Sequence, residues 1–498
     1  MRRQTETLVL LLLIIVVGVL VLRSGSSQSI VEDSILSRPV QPNTGFFGIG
    51  TCSNIHAFTS ERATLLASIF NDDLTSSRVR FLGPQKYNSN LLPLPSSSKH
   101  QYFGLARSGE GVVHDVQWCF MRWKKVPITE RKIVECTTPP MTLDTPNFRP
   151  IGGACKKWDW LEVDQGFLDP RMLFSPFGEP LMVVGSNSHE HCLGMYVIDL
   201  RVLVPELSQE MQLDHVPIRF DRYYELDSPF PEEISKNWFF VWDLKNEEYI
   251  HHNLKPPIVT SIQDPSVNIA EADQECISAI EHDNVHLHQA TNALRLTLCD
   301  FPCQPTADNT VVISIAHIKR IRRMDILYER YLVVMNATSP FNIIGRSKNL
   351  VFAGMDESQM LYTVSIAWDT SVRTRGSWGD YRSPSGQERF RRSDSDTSNP
   401  RLARRDVLAP EGNLESPSEA PWARIQDLQH TLLREMPLQF PRNPIVTDFF
   451  HGWLNDIVMI NFGIRDTESA VIHVSARDLV NCLVDCRVFA ESTTDQWA

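Results

Sequence analysis

The chain has 498 residues, of which 42% are hydrophobic and 22% are charged, so it carries enough apolar side chains for a large buried core. Asp and Glu number 60 against 48 Lys and Arg, and the formal net charge is −12. This composition excludes a chain that is disordered throughout. It also argues against nucleic acid as a partner, because an acidic protein has no overall attraction for phosphate backbones.

The first feature along the chain is an unbroken apolar run at residues 8–22, flanked by Arg2, Arg3 and Arg23. Basic residues hold the amino end of such a segment in the cytosol. We therefore expect a cytoplasmic tail at 1–7, a transmembrane signal anchor at 8–22 and a lumenal body, which is a single-pass type II protein of the Golgi or another secretory membrane. The run is short for a span, so a cleaved signal peptide is the alternative.

The ten cysteines agree with an oxidising lumen, where disulfide bonds form. Two close pairs, Cys299 with Cys303 and Cys482 with Cys486, could instead be zinc half-sites, although no histidine pair nearby completes four ligands. Disulfides are the favoured interpretation, with the connectivity left open. The sequon Asn336-Ala337-Thr338 is compatible with glycosylation in the lumen.

Two stretches lack the pattern of a folded element. Residues 23–45 are polar with scattered prolines, which predicts a stem before a folded lumenal domain at 46–498. Residues 371–425 are rich in Arg and Ser with few aliphatic side chains, which predicts a disordered insertion within that domain. The triplet Asp394-Ser395-Asp396 lies in the insertion, so we do not expect it to bind a metal.

The remaining sequence is rich in apolar alternation typical of β-strands. Five hairpin-like segments begin near Gln101, Leu181, Trp238, Leu350 and Ile457. Recurring strand pairs predict an all-β fold, a five-bladed β-propeller, with a two-sheet sandwich as the alternative. Helix signals are few, and they predict short helices at residues 60–74, 426–436 and 476–484.

The most informative motif is Asp169-Pro170-Arg171, which places an acid and a guanidinium two residues apart and so on one face of a strand. The proline lacks a donor and fixes φ, which favours a rigid position at a strand edge. A carboxylate next to a permanent cation suits proton transfer at a sugar hydroxyl near an anionic leaving group. A purely structural Asp-Arg pair is the alternative.

A second motif is Lys236-Asn237-Trp238, which directly precedes an apolar strand. Lysine and asparagine supply hydrogen-bond donors, and the tryptophan supplies a flat apolar ring of the kind on which sugars stack. A polar turn before a buried tryptophan is the structural alternative.

Together with Gly463-Ile464-Arg465-Asp466, these motifs resemble β-mannoside phosphorylases, and they more closely resemble the related fungal β-mannosyltransferases, which are anchored type II membrane proteins. The strand Tyr362-Thr363-Val364-Ser365-Ile366-Ala367-Trp368 and the carboxy-terminal run at 456–479 are similar to the second group. The resemblance extends over residues 46–486 without the insertion, and only the short motifs are specific.

The resemblance implies a five-bladed propeller whose axial funnel binds mannose, and an inverting reaction. Asp169 matches the acid that moves the proton, and Arg171 the neighbouring base that binds sugar or phosphate. Donors in the funnel correspond to Lys236 and Asn237, and a carboxylate that holds sugar hydroxyls corresponds to Asp466. The family pattern normally has Glu where this chain has Leu168 and Ser235.

Two further polar positions lie on predicted strands. We expect Arg107 to point into the funnel, and His317, which shares a strand face with Lys319, to point outward into water.

The leading hypothesis is a lumenal glycosyltransferase that adds mannose in β linkage to a glycan or glycolipid, from a nucleotide-sugar donor such as GDP-mannose, with no metal or other cofactor. On this hypothesis Asp169 takes the acceptor proton, and Arg171 steadies the departing phosphate. The alternatives are a β-mannoside phosphorylase or hydrolase and a carbohydrate-binding propeller without catalysis.

Overall fold

The computed structural model describes residues 57–59, 63–83, 86–108, 113–127, 129–144, 165–188, 193–229, 236–271, 277, 287–322, 325–370, 449–481 and 483–485. By its internal contacts the chain divides into Met1–Thr44 and Gly45–Ala498, and all described residues belong to the second part. The predicted anchor at 8–22, the stem, the insertion at 371–425 and the helix at 426–436 lie outside the described residues. Within the described ranges, no helix is both long and apolar enough to span a bilayer.

The described residues are mostly β, as predicted, with three short helices. The strands are β1 (Ala57–Thr59), β2 (Ala63–Leu66), β3 (Ser77–Arg80), β4 (Tyr87–Pro93), β5 (Tyr102–Ser108), β6 (Val113–Lys125), β7 (Lys132–Cys136), β8 (Met141–Thr142), β9 (Gln165–Gly166), β10 (Leu168–Phe174), β11 (Pro180–Asn187), β12 (Leu193–Asp199), β13 (Tyr224–Leu226), β14 (Phe239–Trp242), β15 (Glu248–Leu254), β16 (Pro257–Ser261), β17 (Leu287–Gln289), β18 (Leu294–Thr297), β19 (Thr310–Arg322), β20 (Asp325–Asn336), β21 (Ile343–Ser347), β22 (Asn349–Phe352), β23 (Leu361–Trp368), β24 (His451–Trp453), β25 (Ile457–Ile464), β26 (Glu468–Ser475) and β27 (Leu483–Asp485). The helices are α1 (Leu200–Leu203), α2 (Glu206–Met211) and α3 (Ala476–Asn481).

The strands follow one another as antiparallel meanders. Each strand pairs with the one before it in β4 to β7, β10 to β13, β14 to β16 and β18 to β21, and a further meander comprises β23, β25 and β26. Four of the five predicted hairpins are present, as β5 with β6, β11 with β12, β14 with β15 and β25 with β26. The hairpin expected near Leu350 is wrong, because β22 pairs in parallel with β2, and β23 pairs with β25.

The last meander is completed by a strand from the start of the described chain. Strand β3 pairs antiparallel with β26, with Val79 opposite Ser469, and its other edge pairs in parallel with β7. The amino-terminal strand thus joins the first and last meanders into one sheet. Meanders that follow in order and close in this way agree with a propeller-like fold.

The innermost strands are joined by side-chain amides. Strands β4, β10 and β23 are sheet edges, so part of their backbone has no ladder partner. Asn90 on β4 donates to the Pro170 carbonyl (2.9 Å) and accepts from the Met172 N–H (3.3 Å) of β10. Asn292 pairs in the same two-way manner with Ile366 of β23, at 2.9 and 3.0 Å. These amides join the edges of neighbouring meanders close to Asp169, which directly precedes Pro170.

Two of the helix predictions fall at least partly on described residues. The helix expected at 60–74 is wrong, because residues 63–66 form β2, which lies between β1 and β22. The helix expected at 476–484 is present as α3, and the chain then enters β27. In the first case, strand pairing with a distant partner outweighs the local cap signal.

Two disulfides lie within the described residues. Cys119–Cys136 joins the neighbouring strands β6 and β7, and Cys299–Cys303 closes a short loop after β18. The zinc interpretation of Cys299 and Cys303 is therefore wrong, since a disulfide sulfur is not the thiolate that zinc binds. Cys482 and Cys486 lie outside the described residues.

Candidate active site

Asp169 occupies a strained position near the start of β10. Its φ is 47°, and the register of β10 against β11 shifts between Leu168 and Arg171. A non-glycine residue with positive φ is uncommon, although aspartate tolerates this region better than most residues, and Pro170 disfavours the helical alternative. The local sequence thus makes a bulge that turns the Asp169 carboxylate away from the ladder.

Two cations from other strands contact this carboxylate. Arg107 on β5 lies 3.2 Å away (Nη1 to Oδ1), and Lys236, which precedes β14, lies 2.9 Å away (Nζ to Oδ2). The side chains of Asp169 and Arg107 are each 12% exposed, whereas that of Lys236 is 48% exposed. The carboxylate is thus nearly enclosed, and one of its two counterions borders solvent.

The charges around Asp169 keep it ionised. Burial is the strongest single influence and favours the neutral acid, but Lys236, Arg171 and Arg107 together hold the pKa of the carboxyl well below its usual range. In turn, the Asp169 carboxylate raises the pKa of Lys236. These charges therefore favour the ionised carboxylate of Asp169 and the ammonium form of Lys236.

The Arg107 side chain is directed towards Asp169 and has two further neighbours. Its Nη2 donates to Nδ1 of His114 (2.8 Å), and its guanidinium carbon lies 5.4 Å from the centre of the Tyr87 ring. Because arginine only donates, this contact makes Nδ1 of His114 the acceptor. The two groups hold the Arg107 guanidinium towards Asp169.

Arg171 also lies in the cluster, but it is only 2% exposed. Its Nη2 donates to the Asn237 side-chain oxygen (3.1 Å) and to the Tyr362 hydroxyl (3.0 Å), and its other N–H groups point at main-chain carbonyls. The sequence-based role of Arg171 as a phosphate ligand disagrees with this burial, since the guanidinium faces protein on every side.

Asn237 and Trp238 follow Lys236 but lie in different surroundings. Asn237 has a φ of 64°, and its Oδ1 accepts from Arg171, so the contact with Arg171 does not use its NH₂ group. Trp238 is 2% exposed and packs edge-on against His252, with ring centres 4.5 Å apart. The expected sugar-stacking role of Trp238 is therefore corrected to a core role, because its ring face is covered.

Three rings form one wall of the site. His317, Tyr328 and Tyr362 lie with their ring centres 5.1 Å apart pairwise. His317 is buried and accepts from the Thr363 N–H (3.2 Å), so the expectation that it points into water is wrong. Burial, together with the charges of Arg330 and Arg171, lowers its pKa, which keeps the imidazole neutral.

Asp466 lies at the exposed turn between β25 and β26, with a φ of 50°. Its Oδ1 accepts from Asn88 Nδ2 (3.0 Å). Burial and Tyr362 raise the pKa of Tyr328 to about 12, and Lys236, Asp466 and Asp169 also act on its phenol. Asp466 therefore lies on the same side of the fold as the Asp169 cluster, at its solvent-facing edge.

The structure thus brings together Asp169, Arg107, Arg171, Lys236 and Asn237, places Asp466 nearby and leaves Trp238 outside. Sequence reasoning missed Asn88, Tyr328 and the Tyr362 hydroxyl. The polar run Tyr87-Asn88-Ser89-Asn90, directly before Leu91 and Leu92, was the available signal for the first of these. Within the described ranges, no cluster of His, Cys, Asp and Glu is arranged to hold a metal ion.

Chemically, the cluster offers an ionised carboxylate and a solvent-bordering ammonium. It also offers neutral donors from Asn237 and the two tyrosines. Such a set can hold a polyhydroxylated ligand that carries a negative group, and it can accept a proton from a hydroxyl.

Comparisons with known proteins give weak likenesses. No family model and no curated protein matches the chain. Among solved structures, a glycosyl hydrolase from Bacteroides ovatus is 8% identical, covering 82% of this chain and 93% of that one, with a TM-score of 0.36. A mannose phosphorylase from Leishmania mexicana, MPT-4, is 8% identical over 82% and 91% of the chains, with a TM-score of 0.31.

A third similar structure is MPT-1, a GDP-Man-dependent mannosyltransferase from Leishmania mexicana. It is 8% identical over 80% of this chain and 88% of that one, with a TM-score of 0.33. All three TM-scores are below 0.5, so we draw neither fold nor activity from these likenesses.

Proposed function

We propose that this protein is a mannosyltransferase, built on a five-bladed propeller, that transfers mannose in β linkage and with inversion. The donor is a nucleotide sugar, GDP-mannose, and the acceptor is a mannose-containing glycan or glycolipid. The observation that carries the proposal is the nearly enclosed Asp169 carboxylate held between two cations, with Lys236 Nζ at 2.9 Å and Arg107 Nη1 at 3.2 Å.

Whether Asp169 is protonated or ionised affects which reaction it can assist. A phosphorylase or hydrolase needs a carboxylic acid that protonates the leaving oxygen, whereas a transferase needs a group that takes the proton of the acceptor hydroxyl. Asp169 is a carboxylate, and the nearby cations oppose its protonation. The transferase is therefore favoured over phosphorolysis and hydrolysis.

In this mechanism each residue has a separate task. Lys236 and Arg107 balance the diphosphate that leaves with the nucleotide, and an anion bound there competes with Asp169 for the same cations. That competition reduces the stabilisation of the Asp169 carboxylate by the two cations. The pKa of Asp169 therefore rises, and the carboxylate is a better base when the donor is bound. The NH₂ of Asn237 and the phenol of Tyr328 are placed to hydrogen-bond sugar hydroxyls, and Asp466 at the rim to accept from the acceptor sugar.

We further propose that the protein acts in the lumen of the Golgi or another secretory compartment, anchored through residues 8–22. The two disulfides support an oxidising environment. Membrane attachment would keep the domain close to growing glycans.

The test is transfer of labelled mannose from GDP-mannose to mannose oligosaccharides by the full-length protein in detergent. The variant Asp169→Asn is expected to lose at least about 100-fold in kcat. The matched control is Asp73→Asn, an acid in a solvent-exposed ion pair with Arg131 away from the site, which should retain wild-type turnover.

Three outcomes would count against the proposal. Equal turnover by Asp169→Asn and wild type would remove Asp169 from the mechanism. Release of mannose 1-phosphate from a β-mannoside with inorganic phosphate, without transfer from GDP-mannose, would instead identify a phosphorylase. Glycan binding that survives Asp169→Asn, with no turnover of any substrate, would identify a binding protein. The motive for this alternative is Leu168, which stands where the similar family has Glu.

A further inference from the structure

Arg171 has no donor left for a substrate. Its Nε donates to the Ala290 carbonyl (2.6 Å), and its Nη1 donates to the carbonyls of Asp169 (2.6 Å) and Pro170 (3.4 Å). Its Nη2 donates to Asn237 Oδ1 and the Tyr362 hydroxyl. An arginine has five N–H groups, and the five contacts account for all of them. With the side chain 2% exposed, a ligand would have to displace protein to reach it.

The five acceptors come from four separate parts of the fold. Asp169 and Pro170 are on β10, and Ala290 lies between β17 and β18. Asn237 precedes β14, and Tyr362 is on β23. One planar guanidinium thus joins four chain segments that are distant in sequence, at the point where they meet.

Three of these contacts fix groups that face the site. The bond to the Asp169 carbonyl holds the peptide between Asp169 and Pro170, and so helps to fix the backbone of a residue whose φ is 47° and from which the carboxylate projects. The bond to Asn237 Oδ1 fixes the plane of that amide and leaves its NH₂ group for another acceptor. The Tyr362 hydroxyl accepts from Arg171, which leaves its own proton free to be donated.

We infer that Arg171 is a positioning residue, which sets the orientation of Asp169, Asn237 and Tyr362 and makes no contact with the donor phosphates. This assignment replaces the sequence-based one. Its kinetic consequences rest on the proposed transferase function, and its structural consequences do not.

The kinetic test is Arg171→Lys, which keeps the positive charge but loses the planar guanidinium and its five N–H donors. A misplacement of about 1 Å costs on the order of 100-fold, so kcat should fall by about that factor while KM for GDP-mannose stays within about threefold. The matched control is Arg201→Lys. Arg201 is equally buried, with its fork bound to Asp199 and to the carbonyls of Leu213, Val216 and Pro217, away from the site.

Several results would overturn the inference. One is a rise in KM of tenfold or more with an unchanged kcat, which marks a residue that binds the donor. Another is a fall in kcat no larger than that of Arg201→Lys, which marks general destabilisation. If Arg171→Lys does not fold, Tyr362→Phe removes one of the five acceptors that hold the Arg171 guanidinium. It should lower kcat about three- to tenfold, and an unchanged kcat overturns the inference.

A crystal structure of Arg171→Lys gives a readout that needs no donor. We expect Asp169 Oδ2 to lie more than 4 Å from Lys236 Nζ, against 2.9 Å in the native chain. An unchanged 2.9 Å would overturn the inference. If the wild-type protein transfers nothing from GDP-mannose, the proposed function fails, and this structural measurement still decides the role of Arg171.

Discussion

Asp169 and Lys236 form an ion pair of 2.9 Å between two different meanders, and the two side chains differ sharply in exposure. The carboxylate is enclosed, whereas the ammonium borders solvent. The pair therefore combines a fixed negative group with a cation that a soluble anion can reach. This asymmetry makes the state of Asp169 responsive to what binds Lys236.

Lys236→Met removes this cation with little change in side-chain volume. Loss of the ammonium raises the pKa of Asp169, so the acid limb of the kcat/KM profile should move to higher pH, because transfer requires the ionised form. We also expect kcat/KM at neutral pH to fall about tenfold or more. The control is Lys124→Met, at a surface ion pair with Glu135. An acid limb that stays at its wild-type pH would contradict the prediction.

The burial of His251 and His252 on β15 predicts that the stability of the fold depends on pH, without any contribution from Asp169. Burial lowers the pKa of each to about 3, while an unfolded histidine titrates near 6.5. Between these values the unfolded chain binds more protons, so stability is complete above about pH 6.5 and declines as the pH falls towards 3.

Urea titrations at several pH values measure the slope of the free energy of unfolding against pH. His252→Gln should reduce it by about 1.4 kcal/mol per pH unit between about pH 6 and pH 4. Equal slopes for His252→Gln and the wild type would contradict the burial argument.

Gly463 on β25 is required by a close approach of Asn88. A Cβ at this position would overlap the Asn88 side-chain oxygen. Gly463→Ala should therefore lower the free energy of unfolding by about 1–3 kcal/mol and displace the amide that holds Asp466.

The strand glycine Gly185 serves as the matched control, because a Cβ there meets its nearest heavy atom at 3.5 Å. Gly185→Ala should change the free energy of unfolding by no more than about 0.5 kcal/mol. Similar losses in the two variants, measured by urea unfolding, would show that the Asn88 contact is not the cause.

The Cys119–Cys136 disulfide should contribute more to stability than Cys299–Cys303. The bonds span 17 and 4 residues, and loop-closure entropy predicts about 3 and about 2 kcal/mol, respectively. Replacing each pair by alanines and measuring urea unfolding compares them directly. A larger loss from the shorter loop would mean that native-state packing, rather than chain entropy, sets the order.

Strand-level features of the fold were predictable from the sequence where partners are adjacent in the chain. The hairpins β5 with β6 and β25 with β26 show apolar alternation that local pairing explains. The pairing of β2 with β22 was not predictable, because neither segment encodes a partner almost 300 residues away in the chain. The incorrect helix at 60–74 has the same origin.

The site residues also fall into those that the sequence identified and those whose surroundings it did not predict. Asp169, Arg107 and Asn237 were found because their charges or amides stand at strand ends. The burial of Trp238 and His317 depends on which neighbouring meander covers them, and alternation within one strand does not contain that information. Membrane anchoring, lumenal location and the catalytic roles remain predictions.

The pairing of β3 with β26 has a consequence for biosynthesis. Residues 77–80 leave the ribosome early, but their antiparallel partner at 468–475 is made close to 400 residues later. A nascent chain must therefore keep one sheet edge unsatisfied during most of its translation, and such an edge invites aggregation. We expect prolonged chaperone engagement during synthesis, and a premature stop codon upstream of residue 468 should yield an insoluble product even though nearly all of the proposed catalytic cluster has been translated.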